Sequence, residues 1–171
     1  MNAQEGSVHP TDRAKQERVA RPKRILLVED NADDAALTLR ALRKTAILSE
    51  ITWVRDGAEA LDYVFHTGKY DETPRLELPT LMVLDLKLPK IDGLEVLRRL
   101  RANESTRCLP VVVLTSSKEQ RDVRRSYASG ANSYLHKQID FVKFTEIVQQ
   151  MKAYWLNLNE PPPPEENIPL P

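Results

Sequence analysis

The run Leu81-Met82-Val83-Leu84-Asp85-Leu86-Lys87-Leu88-Pro89-Lys90-Ile91-Asp92-Gly93 decides how this chain is read. Its four leading apolar residues are too few for a stable helix and are flanked by Pro79 and Pro89. They predict a strand buried on both faces of a parallel sheet. Asp85 then stands at the strand's carboxyl end, the edge outside which open α/β sheets bind ligands. An acid there is a metal ligand, a nucleophile or a cap for the next turn, and taken alone the cap is the commonest of the three.

Bulk properties narrow the classes. At 171 residues the chain suits one well-cored domain and is short for two. Lysine plus arginine balances aspartate plus glutamate at 25 each, which favours neither DNA nor an anionic membrane as main partner. The single cysteine, Cys108, excludes an internal disulfide and a cysteine-cluster zinc site. With no apolar run of membrane-spanning length and no signal peptide, a cytoplasmic location is expected.

Outward from the central strand, the other elements follow from periodicity. Residues 1–22 are polar and basic with Pro10 and Pro22, and predict a flexible arm with a frayed helix over Asp12 to Arg21. Arg24–Val28 is a strand ending in Glu29-Asp30-Asn31, with Asn31 placed to cap a helix carrying Ala35, Ala36, Leu39, Leu42 and Ala46. Ile51–Val54 is a strand with a helix, Ala58 to His66, behind it. The loop from Gly68 to Pro79 is long for such a connection, and a functional loop and a plain surface insertion both fit it. Leu94, Leu97 and Leu100 mark the next helix, and Val111–Leu114 a strand that ends in Thr115-Ser116-Ser117. Ser117 and Gln120 have the spacing of a capping box for a helix from Lys118 to about Ala128, stopped by Gly130. Asn132–His136 is the last strand and ends in Lys137. A final helix from Asp140 to about Leu158 carries Phe141, Phe144, Val148, Met151, Trp155 and Leu158 as a stripe, widened by Ile147 and Tyr154. The domain therefore spans 23–159, and the proline-rich acidic tail, 160–171, predicts extended chain.

Five strands alternating with five helices require a mostly parallel sheet covered on both faces. Glu29 and Asp30, Asp85, Thr115 and Lys137 then converge at one edge. Three crowded carboxylates need a cation among them, and an all-oxygen donor set suits Mg²⁺. Such a site attracts phosphoryl groups: Asp85 could accept one, with the Lys137 ammonium and the Thr115 hydroxyl on the phosphoryl oxygens. Singly, each group has a plainer reading: a strand-end hydroxyl, a solvated lysine, a pair of acids at a helix start.

As a set, Val28-Glu29-Asp30, Asp85 with Leu88-Pro89 and Asp92-Gly93, Thr115-Ser116, and Tyr134 three residues before Lys137 resemble the receiver domain of two-component response regulators, over Lys23 to Leu158. The resemblance implies a flavodoxin-like doubly wound (βα)5 fold with strand order 2-1-3-4-5. It implies a signalling protein that catalyses only its own phosphorylation and dephosphorylation, with Asp85 as phosphoacceptor. Mg²⁺ would be held by Glu29, Asp30, Asp85 and the Lys87 carbonyl, Lys137 would contact the phosphoryl group, and Thr115 and Tyr134 would form the switch. The partner implied is a sensor histidine kinase. One departure stands out: Gln138 follows Lys137 where members carry a proline after a cis bond. A cis bond without proline costs about 2.5–4 kcal/mol, which argues against that geometry here.

The 68–79 insertion and the ending Tyr154 to Pro161 are similar to the single-domain regulators that accompany bacterial phytochrome kinases, and a stand-alone receiver is expected. Those relatives dimerise through the fourth helix, fifth strand and fifth helix. The broad stripe of the last helix fits a homodimer in which Tyr154, Trp155 and Leu158 meet a second copy. Rival classes fare worse. A haloacid-dehalogenase-like phosphatase wants a second aspartate where Lys87 stands, and a nucleotide-binding domain wants a glycine-rich loop where Glu29 to Asp34 is acidic. A receiver reduced to a binding module would be expected to lack one of the acids or the lysine, and none is missing.

Overall fold

Alternating residues of the central strands bury on opposite faces of one parallel sheet, which a computed structural model describes over residues 23–44, 46–71 and 77–162. The predicted arm at 1–22, the tail beyond 162 and residues 72–76 of the insertion lie outside the described residues. The strands are β1 (Lys23–Val28), β2 (Ser49–Val54), β3 (Leu81–Leu84), β4 (Val111–Thr115) and β5 (Ser133–His136). Their order is 2-1-3-4-5, all parallel, the doubly wound flavodoxin-like arrangement. Five helices cover it: α1 (Ala32–Arg43), α2 (Gly57–Phe65), α3 (Gly93–Ala102), α4 (Gln120–Ala128) and α5 (Phe141–Ala153).

Leu26, Val28, Met82, Leu84, Val111 and Val113 pack on one face against α2 and α3. Ile25, Leu27, Leu81, Val83, Val112 and Leu114 pack on the other against α1 and α5. β3 has all four residues buried, which is why its sequence is a continuous apolar run rather than an alternation. α4 differs from the rest: Ser126 is its single buried residue, so little apolar burial holds it to the sheet.

Local signals set most boundaries. Asn31 accepts from the backbone N–H groups of Asp33 and Asp34 at the start of α1. Asp56 and Asp92 cap α2 and α3 in the same way, each accepting from the glutamate three residues on. Four expectations needed correction. α1 stops at Arg43 with Lys44 as its cap, so Ala46 lies outside it, because the chain must turn to enter β2 at Ser49. α2 runs one residue earlier than expected at each end, and His66 leaves it in the left-handed region at φ 55°. The capping box does not form: Glu119 is the cap residue and makes no side-chain cap bond, while Ser117 Oγ donates to Asp122 Oδ2 at 2.6 Å. Last, α5 ends at Ala153 and continues as a wider π turn, Tyr154–Leu158. That winding shifts the phase of the stripe: Leu156 is fully buried in the core beside Trp155, and Leu158 turns outward, 75% exposed.

Lys152 on α5 is buried although nothing in the apolar pattern marks it. Its ammonium donates to the carbonyls of Leu42 and Ile47, both at 2.8 Å, and so satisfies backbone oxygens at and just beyond the last turn of α1. Burial pulls its pKa below the usual lysine range.

No helix of the described residues is long and apolar enough to cross a membrane. They contain no cis peptide bond.

Candidate functional site

Parallel strands end along one edge, and there the structure gathers the four strand ends expected to meet, those of β1, β3, β4 and β5. Backbone N–H groups carry the sheet pairing past the strands: Glu29 N donates to Val54 O, Asp85 N to Val28 O, and Lys137 N to Thr115 O, all within 3.1 Å. These bonds fix where the three side chains start. Glu29 is 2% exposed and Asp85 7%, while Asp30 faces solvent. Carboxylate oxygens of Glu29, Asp30 and Asp85 lie within 4.8 Å of one another.

Asp85 is held from two sides. Its Oδ1 accepts from Leu86 N at 2.6 Å, and its Oδ2 from Lys137 Nζ at 3.1 Å. The same ammonium reaches Glu29 Oε2 at 2.6 Å and Asp34 Oδ2 at 2.7 Å. Burial opposes the charge on Lys137, but hydrogen bonds to Asp34 and Glu29 and the charge of Asp85 outweigh it, and the pKa rises above the usual lysine range. Glu29 goes the other way for a carboxylate. Burial pushes it up to about 7, the Asp85 charge adds to that, and Lys137 and Asn31 N–H only partly offset it.

A buried carboxylate that resists ionising beside two others is a site short of positive charge. One ammonium serves Glu29, Asp34 and Asp85 at once, and the donors are all oxygen, so the residues present fit a hard divalent ion such as Mg²⁺.

Thr115 is fully buried at the end of β4, and its Oγ1 accepts from Ser117 N at 3.4 Å. Tyr134 is half-buried on β5, and its hydroxyl donates to Ser117 O at 3.1 Å. His136 Nδ1 meets the same carbonyl at 2.9 Å. The loop after β4 is thus tied to Thr115 through its N–H and to β5 through its carbonyl. Lys87 is exposed in the turn after Asp85. Of the residues expected at an interface, Tyr154 is half exposed and Leu158 exposed, whereas Trp155 packs edge-on against Tyr154 and onto its own core.

Three participants escaped the sequence reading. Asp34 contacts Lys137, and its only signal was a fourth acid one helical turn after Asp30. His136 joins Tyr134 on the Ser117 carbonyl, adjacent to a residue already singled out. Asp56 binds Lys90 Nζ at 2.6 Å and fastens the loop after Asp85 to the start of α2. Burial alone would raise the Asp56 carboxyl, but the bonds from Lys90 and the Glu59 N–H hold it below the usual carboxylate range.

Comparison with known proteins agrees with this fold. Residues 25–149 match the response regulator receiver domain family. The chain is 44% identical over 140 residues to the probable methanogenesis regulatory protein FilR2 of Methanothrix harundinacea (strain 6Ac), covering 82% of this chain and 88% of that protein. It is 40% identical over 135 residues to response regulator Rcp1 of Synechocystis sp. (strain ATCC 27184 / PCC 6803 / Kazusa), covering 79% and 90%. The Mn²⁺-bound form of Rcp1 superposes with a TM-score of 0.75 at 38% identity, over 82% of this chain and 99% of that one. The phosphorylated cyanobacterial phytochrome response regulator RcpA superposes with a TM-score of 0.77 at 36% identity, over 83% and 99%. With most of its length matched and its strand-end residues gathered at one edge, this chain belongs to the response-regulator receiver family of two-component signalling proteins.

Proposed function

We propose that the chain accepts a phosphoryl group from a sensor histidine kinase onto Asp85 and signals through protein contacts. The observation that carries this reading is the Asp85 carboxylate set between the Lys137 ammonium at 3.1 Å and the Glu29–Asp30 pair. In the transfer, a bond forms from an Asp85 carboxylate oxygen to phosphorus as the bond from phosphorus to the donor breaks and the donor leaves with the electron pair. Leu86 N–H fixes the carboxylate, and Lys137 stands ready to neutralise the phosphoryl oxygens. Glu29, Asp30, Asp85 and the Lys87 carbonyl would hold Mg²⁺, whose charge, when bound, offsets that of the phosphoryl oxygens. Incubation with Mg²⁺ and acetyl phosphate, followed by intact-mass measurement, should show one added phosphoryl group. No addition, or addition that Asp85→Asn does not abolish, overturns the reading.

Thr115 and Tyr134 serve as the switch. Both bond to Ser117, so a shift of Thr115 towards a phosphoryl group carries the loop with it and loosens the Tyr134 hydroxyl from its carbonyl. α4, with so little buried, follows that loop readily. The likeness to the cyanobacterial phytochrome response regulator RcpA supports a phytochrome-type kinase as the partner, and a cytoplasmic place of action is proposed with it.

Glu29 gives a pH dependence with a definite sign. Its folded pKa of about 7 lies above its ordinary 4.5, so its contribution to stability is fully present below 4.5 and is lost as pH rises through about 7. An ion that replaces the proton restores it. The gap in melting temperature between Mg²⁺-loaded and EDTA-treated protein should therefore widen from about pH 5.5 to about pH 8. A gap that is constant or narrows contradicts the role given to Glu29.

The face of α4, β5 and α5, with Tyr154, Trp155 and Leu158, is proposed to join two copies. Because Trp155 also packs at home, Leu158→Asp is the cleaner probe. Sedimentation velocity should give a dimer for the natural protein and a monomer for the variant. Equal masses defeat the interface.

A further inference from the structure

The Lys137 ammonium has three protons to give and three carboxylates to receive them. Two of those partners, Glu29 and Asp85, belong to the group whose oxygens can share an ion; the third, Asp34, does not. Asp34 sits in the first turn of α1, where its backbone is pinned at both ends. Its N–H donates to Asn31 Oδ1 at 3.0 Å, and its carbonyl accepts from Thr38 Oγ1 at 2.8 Å. A capped helix thus presents this carboxylate at a fixed place, 2.7 Å from the amine. The Lys137 backbone is fixed by its own N–H, which donates to Thr115 O at 2.9 Å, but the long flexible stem beyond it leaves the ammonium to be placed by its carboxylate partners.

We propose that Asp34 is a positioning residue that holds the Lys137 ammonium beside Asp85 once an ion and phosphoryl oxygens draw on Glu29 and Asp85. This rests on Asp85 as phosphoacceptor. Without Asp34, the partners left to the amine are the ion-binding carboxylates, where a second cation competes with the metal. Asp34 is 38% exposed against 11% for Lys137, so it spends less desolvation than a buried acid would while still directing the amine.

A double-mutant cycle of Asp34→Asn and Lys137→Met separates this from a general charge effect. Two quantities are read in each protein. One is the Mg²⁺ dissociation constant from the fluorescence of Trp53, whose indole N–H bonds to the Glu29 carbonyl at 2.8 Å. The other is the initial rate of phosphoryl uptake from acetyl phosphate. With Lys137 present, Asp34→Asn should weaken Mg²⁺ binding about fivefold and slow uptake about tenfold. In the Lys137→Met background it should change each by less than about twofold, and Asp34→Glu should recover most of both losses. Equal factors in the two backgrounds, or no effect of Asp34→Asn alone, overturn the assignment while leaving Asp85 as phosphoacceptor. If the natural protein takes up no phosphoryl group at all, the parent reading falls and takes this one with it.

Discussion

Asp85→Asn should take up no phosphoryl group from acetyl phosphate and Mg²⁺ under conditions that load the natural protein with one. Asparagine keeps the size and the backbone contact, because its carbonyl oxygen can still accept from Leu86 N–H, which stands 2.6 Å from Oδ1. It loses the chemistry. The amide has no anionic oxygen to attack phosphorus, and its NH₂ would face the Lys137 ammonium, donor against donor, where Oδ2 now accepts at 3.1 Å. The variant also removes the Asp85 charge that helps push Glu29 up, so Glu29 should fall back towards its ordinary range. The expected profile is a folded protein with weakened Mg²⁺ binding and no mass increment. An increment that survives in Asp85→Asn moves the phosphoacceptor to another acid of the cluster.

Gly57→Ala should lower stability by about 3 kcal/mol, or about 10 °C in melting temperature for a domain of this size. A Cβ on Gly57 would sit 2.0 Å from the Ile91 carbonyl oxygen and 2.9 Å from its carbon. Both are backbone atoms of the loop that follows Asp85, and they cannot turn aside as a flexible side chain would. That loop is fixed again at its far end, where Gly93 N–H donates to Leu86 O at 3.0 Å and a Cβ on Gly93 would come within 2.4 Å of the Asp85 carbonyl oxygen. Pushing on Ile91 therefore strains the segment that carries Asp85 and Lys87, and phosphoryl uptake should slow along with the loss of stability. Lys90→Ala is the control. It removes the bond to Asp56 from the same loop but leaves the backbone space untouched, so its melting temperature should move far less. If Gly57→Ala melts with the natural protein, the loop is softer than this close packing implies.

How far local sequence reaches can be judged from particular residues. Val111–Val113, Leu81–Leu84 and Ile25–Val28 announced strands because two-sided burial in a parallel sheet demands unbroken apolar runs. The gathering of Glu29, Asp30, Asp85 and Lys137 was legible for a similar reason: parallel strands with helical returns send all their carboxyl ends to one edge, so a polar residue closing several strands marks a common site. The same reasoning failed where two signals competed. Ser117 and Gln120 had capping-box spacing, but the Ser117 hydroxyl bonds Asp122 while its N–H and carbonyl serve Thr115, Tyr134 and His136.

What the chain determined alone was every contact dictated by period and by strand direction: the sheet, its two buried faces, and the acids and amine at its edge. What only the tertiary structure decided was how helices lie across that sheet, because side-chain pairs brought together by helix placement leave no periodic trace. Asp34 meets an amine 103 positions away, and Lys152 caps carbonyls 105 and 110 positions away. Each reads in the sequence as an ordinary solvated charge, and each acquires its role from where α1 is placed, its first turn beside the residue that follows β5 and its last turn beside α5.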